Sequence, residues 1–441
     1  MPAADQQGLL APETLEAIFA PFAGLRRVGL AVSGGADSLA LLMLAERWRA
    51  AAPGRPDLVV LTVDHGLRPE SAAEARFVAD VCAQYGVACR VLRWAGPAPS
   101  SGIEAAARAA RYRLLAEAAR AEGLTHLATA HHRDDQAETF LMRLARGSGV
   151  YGLAAMAAET DRAGLRLVRP LLGLSHAELV AEVRAAGLVA VEDPHNSDTS
   201  FDRVRMRRLM PVLAAEGLDA ATLSATAERL ARAASALDTY VGRLFERAAE
   251  ADAFGMVRLR RDDWRGEPEE IRLRALARIL RAVGGAAYVP RLEGVEALAA
   301  AMGSEDAFAA RTLAGVVVDR HGDGFRFQRE GGRDGLPALV VEAGFEGIWD
   351  GRFRVVVAGG GVSGLVLGPL GETGRRQLID HAPRGMPRAI AALPALWRGG
   401  AILACPALGL APDPALDIAF SATSLVAARM RDPARHDDPG A

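Results

Sequence analysis

The sequence predicts an α/β fold for its first half, a doubly wound parallel sheet, followed by a helical domain and a small mixed or β domain. Three observations predict this. Short apolar runs alternate with stretches of helical periodicity over the first 200 residues. Polar clusters follow several of those runs where strand gives way to helix. The pattern then changes twice, to helix after about Ala214 and to short apolar runs with Gly-rich turns after about Gly303. Alternation at this spacing builds βαβ units, whose parallel strands are covered by helices on both faces.

Taken in order, Arg27–Val32 is an apolar run ending in a Gly-rich turn, and Ala36–Ala51 follows with helical periodicity. Leu58–Val63 is a second run, with a helix from about Pro69 to Tyr85 after it. Val87–Trp94 is a third, leading to an Ala- and Arg-rich helix over Glu104–Ala121. His126–Ala130 is a fourth, before a helix over Asp134–Ala145; Ser175–Ala186 is a further helix, preceding a run at Leu188–Glu192. Leu223, Ala227, Leu230, Ala234, Leu237, Val241 and Leu244 then recur at spacings of three and four, an amphipathic stripe. Glu269–Val283 is a second such stretch, bearing Arg272, Arg274, Arg278 and Arg281. Val316–Asp319, Phe325–Gln328, Leu339–Glu342 and Arg352–Val357 read as short strands. The expected domains are residues 1–215, 216–302 and 303–431, with a disordered tail over 432–441.

Composition narrows the function. At 441 residues the chain has room for about three domains. Half of the residues are hydrophobic and 24% are charged, which excludes disorder of the whole chain. Basic and acidic residues nearly balance, at 52 and 54, and every basic residue is arginine. That balance argues against a nonspecific nucleic-acid coat but allows a local patch. Three cysteines without a C-x-x-C pair fit a reducing compartment. The start of the chain lacks the features of a signal peptide, and no apolar run is long enough to span a membrane. A soluble cytoplasmic protein is expected.

Ligands of such sheets bind outside the carboxyl ends of the strands. Three polar clusters are expected there: Ser33–Ser38, Asp64–Arg68 and His131–Asp135. The first, Ser33-Gly34-Gly35-Ala36-Asp37-Ser38, joins a strand to a helix. Its glycines allow close backbone approach, and its amides with the helix N-terminus make an anion cradle. Asp37 beside a polyphosphate calls for Mg²⁺ between them. The lysine of a Walker loop is absent. Glu104, Arg108 and Arg111 fall at i, i+4 and i+7 of a helix, which alone is more often a surface ion-pair ladder. His131, Asp135 and Glu138 repeat that spacing. They could hold a metal, take an amine, or cap and complement a helix start. Further on stand Arg169-Pro170-Leu171-Leu172 and four arginines in six residues, Arg203 to Arg208.

The Ser-Gly-Gly-x-Asp-Ser loop resembles that of the N-type ATP pyrophosphatases, the PP-loop superfamily with its adenine nucleotide alpha hydrolase-like sheet. The motifs together, in order from about Val28 to Leu213, resemble the tRNA(Ile)-lysidine synthetase family. Departures stand at Ile103, His195 and Val204, where that family usually has Asn, Ser and Asn. The resemblance implies a ligase. ATP would adenylate the carbon-2 oxygen of the wobble cytidine in tRNA(Ile) with a CAU anticodon. The ε-amine of free L-lysine would then displace AMP. It implies an ATP site of Ser33, Gly34, Gly35, Ala36, Asp37, Ser38 and Asp64, with Asp37 placing Mg²⁺. It implies Asp135 and Glu138 as acids for the lysine ammonium, with one of them taking its proton. His131 would lie near the transferred groups. Glu104, Arg108 and Arg111 would form a catalytic wall, with Arg108 facing phosphate or oxyanion. Arg205 and Arg208 would hold ATP or RNA, and the Arg-bearing helices of 223–285 would grip tRNA. Rivals are a tRNA cytidine thiolase, which would need paired cysteines, another adenylating synthetase, and a nucleotide-binding protein without chemistry. Monomer and homodimer both stay open.

Overall fold

The computed structural model describes residues 10–64, 66, 70–94, 103–162, 165–191, 202–304, 308–331, 335–361, 363–378 and 388–432. The chain divides into two compact units, one within residues 1–234 and one within 235–434.

The first unit runs α1 (Pro12–Phe19), β1 (Arg27–Ala31), α2 (Ala36–Ala50), β2 (Asp57–Asp64), α3 (Ser71–Gln84), β3 (Ala88–Arg93), α4 (Ile103–Ala121), β4 (His126–Ala128) and α5 (Arg133–Ala145). It continues with α6 (Val150–Leu153), β5 (Glu159–Arg162), β6 (Leu165–Val168), α7 (His176–Ala185) and α8 (Asp202–Ala215). Helix α9 (Ala220–Ala248) crosses the boundary between the units. The strands form one sheet in the order β3-β2-β1-β4-β6-β5, parallel except for β5.

Strand β2 shows why the sheet is covered on both sides. Leu58 and Val60 join the core built on α1, α2, α3 and α7, whereas Val59 and Leu61 join the core with Leu115 and Ala119 of α4. Side chains alternate faces along a strand, so two buried faces need a continuous apolar run. Helix α2 is buried at every position from Ser38 to Ala45, which explains its apolar circumference. Gly29 permits the close pairing of β1 with β4: a Cβ there would lie 3.0 Å from Leu127 and 3.1 Å from Leu124.

The expected strand near Leu188–Glu192 is not formed over 188–191. Instead the Val191 N–H donates to the Gly34 carbonyl at 3.0 Å, so the chain braces the loop after β1. The sheet is completed by the β5–β6 hairpin, which the sequence hid because its edge strand, Glu-Thr-Asp-Arg, has no apolar residue.

The second unit contains β7 (Ala249–Ala251), β8 (Val257–Arg260), α10 (Arg261–Arg265), α11 (Glu269–Gly284), α12 (Leu292–Gly303), β9 (Arg311–Leu313), β10 (Val316–His321) and β11 (Gly324–Arg329). It ends with β12 (Leu339–Val341), β13 (Phe345–Trp349), β14 (Phe353–Ala358), β15 (Leu365–Pro369), α13 (Gly371–Gln377), β16 (Pro394–Arg398), β17 (Ala401–Ala404), β18 (Ala419–Ser424) and α14 (Val426–Arg431). The stretch 216–302 is therefore not purely helical. Strands β7 and β8 join β11, β10 and β9 in an antiparallel sheet. Only Val257 and Leu259 face inward on β8, too short a period-2 signal to stand out. Helix α11 packs on this sheet. Two further antiparallel sheets, β12-β15-β16-β17 and β13-β14-β18, share a core that includes Phe353, Val355, Leu365, Leu367 and Leu396.

Candidate active site at the β1–β4 switch

The strand order reverses direction between β1 and β4, so the carboxyl ends of these two strands open a crevice of the kind that holds ligands in doubly wound sheets. The loop after β1 supplies Ser33 to Ser38, and the segment after β4 supplies Thr129 to His132. Gly34 has φ +92°, a conformation a side chain would strain. Gly35 precedes α2 and leaves its N-terminus without a side-chain cap. Exposed amides of that kind attract anions. The Ser38 hydroxyl is used within the loop: it accepts from the Ser33 and Gly34 amides, both at 3.1 Å, and donates to the Gly35 carbonyl at 2.9 Å. Ser38 thus shapes the turn. Asp64 is buried and does a similar job after β2, accepting from Gly66 N–H at 3.1 Å and the Ser71 hydroxyl at 2.6 Å.

Three helix N-termini meet at this edge. Asp37 lies in the first turn of α2, His132 is the N-cap of α5, and His176 begins α7. His176 Nδ1 is 2.7 Å from Asp37 Oδ1, and His132 Nε2 is 3.6 Å from Asp37 Oδ2. His132 is buried, its Nδ1 lies 3.5 Å from Asp134 Oδ2, and Asp134 also accepts from the His176 amide at 2.8 Å. Burial opposes charge on Asp37, but the hydrogen bonds and charges of His132 and His176 outweigh it and hold the carboxyl well below the usual range. For His132 burial also opposes the charge, yet Asp134 and Asp37 prevail and push its pKa up to about 10. His176 is raised chiefly by its hydrogen bond to Asp37. Asp134 is lowered to about 2, chiefly by His132.

Asp135 and Glu138 stand one turn further along α5. Glu138 is buried and is held by Arg203 Nε at 2.8 Å and Arg207 Nε at 2.7 Å. Asp135 Oδ1 accepts from Arg203 Nη2 at 3.1 Å, while its Oδ2 accepts from the His132 amide at 3.0 Å. Burial opposes the Arg203 charge, and the two carboxylates outweigh it, raising its pKa. Asp135 and Glu138 thus share the Arg203 guanidinium of α8, and Glu138 also takes Arg207.

The structure brings Asp37, Asp135 and Glu138 to this edge together with His132, Asp134, His176, Arg203 and Arg207, which the sequence reading did not single out. The histidine beside Asp37 is His132, whereas His131 turns its Nδ1 to the Thr129 hydroxyl at 2.9 Å. His176 had no motif to mark it. Of the arginines, Arg203 and Arg207 meet the acids; Arg205 pairs with Asp202 and is exposed, and Arg208 is exposed. The spacing of 203 and 207, one helical turn, matches the spacing of 135 and 138 and was the available signal. Arg169 is buried, donating to the Ala157 carbonyl at 2.8 Å and the Thr160 hydroxyl at 3.1 Å. Helix α4 forms over Ile103–Ala121 and Arg111 is exposed on it; the side chains of Glu104 and Arg108 lie outside the described residues, as does His195.

Residues 10–213 match the PP-loop domain family. The tRNA(Ile)-lysidine synthase of a Bradyrhizobium species is 50% identical over 312 residues, which span 68% of this chain and 84% of that protein. The tRNA(Ile)-lysidine synthase of Rhodopseudomonas palustris is 48% identical over 334 residues, 73% of this chain and 96% of that one. That of Ruegeria pomeroyi is 40% identical over 387 residues, 88% of this chain and 90% of that one. The chain belongs to the tRNA(Ile)-lysidine synthase family.

Proposed function

We propose that this protein is the ATP-dependent ligase that joins free lysine to carbon 2 of the wobble cytidine in tRNA(Ile) with a CAU anticodon, in the cytoplasm. The observation that carries this reading is the cation site of Asp135 and Glu138, linked to the phosphate loop through the Asp135–His132–Asp37 contacts. A nucleotide loop beside two carboxylates that already pair with a nitrogen cation is what an amine ligase needs.

In the first step the cytidine carbonyl oxygen attacks the inner phosphorus of ATP. An O–P bond forms and pyrophosphate leaves. The uncapped start of α2 and the loop around Gly34 and Gly35 would receive the departing charge, and the His132 and His176 imidazoles would hold positive charge beside it. Asp37 is the carboxylate that would hold magnesium. When bound, Mg²⁺ would neutralise part of the polyphosphate charge. In the second step lysine displaces Arg203 from Asp135 and Glu138. One carboxylate accepts the ammonium proton, directly or through water, so that the free amine can attack carbon 2. A C–N bond forms, the C–O bond to AMP breaks, and AMP leaves. Contact with tRNA falls to exposed arginines such as Arg229 and Arg232 on α9. It does not fall to Arg278 and Arg281 of α11, which are buried.

The test is transfer of radiolabelled lysine to tRNA(Ile) transcript with matched AMP release. Wild type should label the anticodon loop, and Asp135→Asn should lose at least about tenfold in rate. Lysine-independent AMP release with no label in the tRNA would refute the assignment.

A further inference from the structure

Asp37, His132 and His176 have a property the ligase chemistry does not use. Their donor atoms, one carboxylate oxygen and two imidazole nitrogens, all lie within 4.8 Å of one another. Magnesium takes oxygen donors and gains little from imidazole. Two histidines and a carboxylate instead suit borderline ions such as Zn²⁺ and Co²⁺. We propose that these three residues form a binding site for a divalent transition-metal ion of the zinc class, independent of nucleotide.

The three ligands come from separate helices, α2, α5 and α7, so the site is built by the tertiary fold. Tetrahedral bonds of about 2.0–2.1 Å would place donors about 3.3 Å apart. His132 Nε2 already stands 3.6 Å from Asp37 Oδ2. His176 Nδ1, at 2.7 Å from Asp37 Oδ1, needs to swing outward slightly, and its side chain is half exposed and can. The surroundings of His132 also match. Its Nδ1 lies 3.5 Å from Asp134 Oδ2 and 3.4 Å from the Asp135 amide, and its Nε2 lies toward both Asp37 and Asp135, at 3.6 and 3.5 Å. A carboxylate behind the far ring nitrogen is the arrangement that orients metal-binding histidines. Asp134 in turn accepts from the backbone of His176 at 2.8 Å, so one carboxylate contacts the His132 ring and the start of α7. Three protein ligands leave one tetrahedral position for water or a phosphate oxygen. Because Asp37 also serves the loop, an ion held here would compete with Mg²⁺–ATP for the same carboxylate.

The experiment is a titration of the full chain with Zn²⁺ by calorimetry and with Co²⁺ by visible absorption, without nucleotide. Wild type should bind one equivalent, with d–d bands and no sulfur charge-transfer band. His176→Gln should weaken binding at least about tenfold, and 1 mM Mg²⁺ should not displace Co²⁺ (about 1 mM being in excess of the protein). Unchanged affinity in His176→Gln overturns the site. So does a thiolate band, which would place the ion on the adjoining Cys82 and Cys89, or the absence of stoichiometric binding. Should His176→Gln fail to fold, anomalous diffraction from Co²⁺-soaked wild-type crystals decides, and a peak anywhere but among these three residues is fatal. ATP binding is measured on the same wild-type preparation. Intact ATP binding without zinc binding removes only the metal site, whereas loss of ATP binding removes the phosphate-loop reading.

Discussion

His132 is where chemistry and stability meet. Its imidazole is buried, yet its pKa is pushed up to about 10 because Asp134 and Asp37 outweigh the burial that opposes its charge. An unfolded histidine titrates near 6.5, so the folded state holds the proton more tightly. The stability this adds is complete below about pH 6.5 and is lost as pH rises through about 10. Urea unfolding across pH 6–10 (a window of roughly the two pKa values) should therefore show wild type losing on the order of 3 kcal/mol, with His132→Gln flatter over the same range. Equal slopes would show that the carboxylates do not hold that proton. At this scale the sequence announced the acids Asp37, Asp135 and Glu138 plainly, because each sits inside a motif. It did not say which of two adjacent histidines faces them. That depends on the capping geometry of α5, where the first helical turn begins only after His132.

At the scale of elements, charge helps to hold α8 on α5. Glu138 is buried and receives both Arg203 and Arg207, which lie one turn apart on α8. Removing partners from a buried carboxylate leaves an uncompensated charge, at about 3–5 kcal/mol. The double variant Arg203→Ala with Arg207→Ala should be destabilised by that order in urea unfolding. Adding Glu138→Gln should restore part of the loss, and a triple variant less stable than the double would contradict the role of charge. A similar economy governs α11. Arg278 Nε donates to the Met430 carbonyl at 2.9 Å, and Arg281 Nη2 donates to the carbonyls of Arg429 and Asp432 at 2.9 and 3.0 Å. These forks satisfy the carbonyl end of α14, where positive charge is favoured. In the sequence they read as part of the Arg-bearing helices that would grip tRNA, since periodicity gives the face of a helix but not its neighbour. The helices themselves were legible from spacing, as was the 3.6-residue stripe of α9. The four-residue strands β5 and β8 were not, because so few residues carry too little alternation.

Across the whole molecule the two units rest on separate buried cores and separate polar anchors. The first unit carries the phosphate loop. The second has Asp350 between two arginines: Arg352 Nε at 2.6 Å and Arg329 Nη2 at 3.0 Å. Arg352 is fully buried and also donates to the Ala392 carbonyl at 2.6 Å, and burial draws its pKa down to about 10 despite Asp350. Asp350 adjoins Gly285, whose φ is +69° and where a Cβ would lie 2.0 Å from the Asp350 carbonyl, so this corner has no room to rearrange. Asp350→Asn keeps the shape and removes the charge, leaving Arg352 and Arg329 to repel. It should lower the unfolding free energy by about 3 kcal/mol while leaving the ATP dissociation constant within about twofold of wild type. Asp37→Asn should do the reverse, weakening Mg²⁺–ATP binding while costing less stability than Asp350→Asn. Saturating ATP, at about 100 times its dissociation constant, should then stabilise Asp350→Asn by about 2.7 kcal/mol, as it does wild type, and stabilise Asp37→Asn much less. Thermal unfolding and equilibrium binding on the same three proteins, with and without nucleotide, separate these effects. If both substitutions shifted both readouts equally, the division of labour between the units would be wrong.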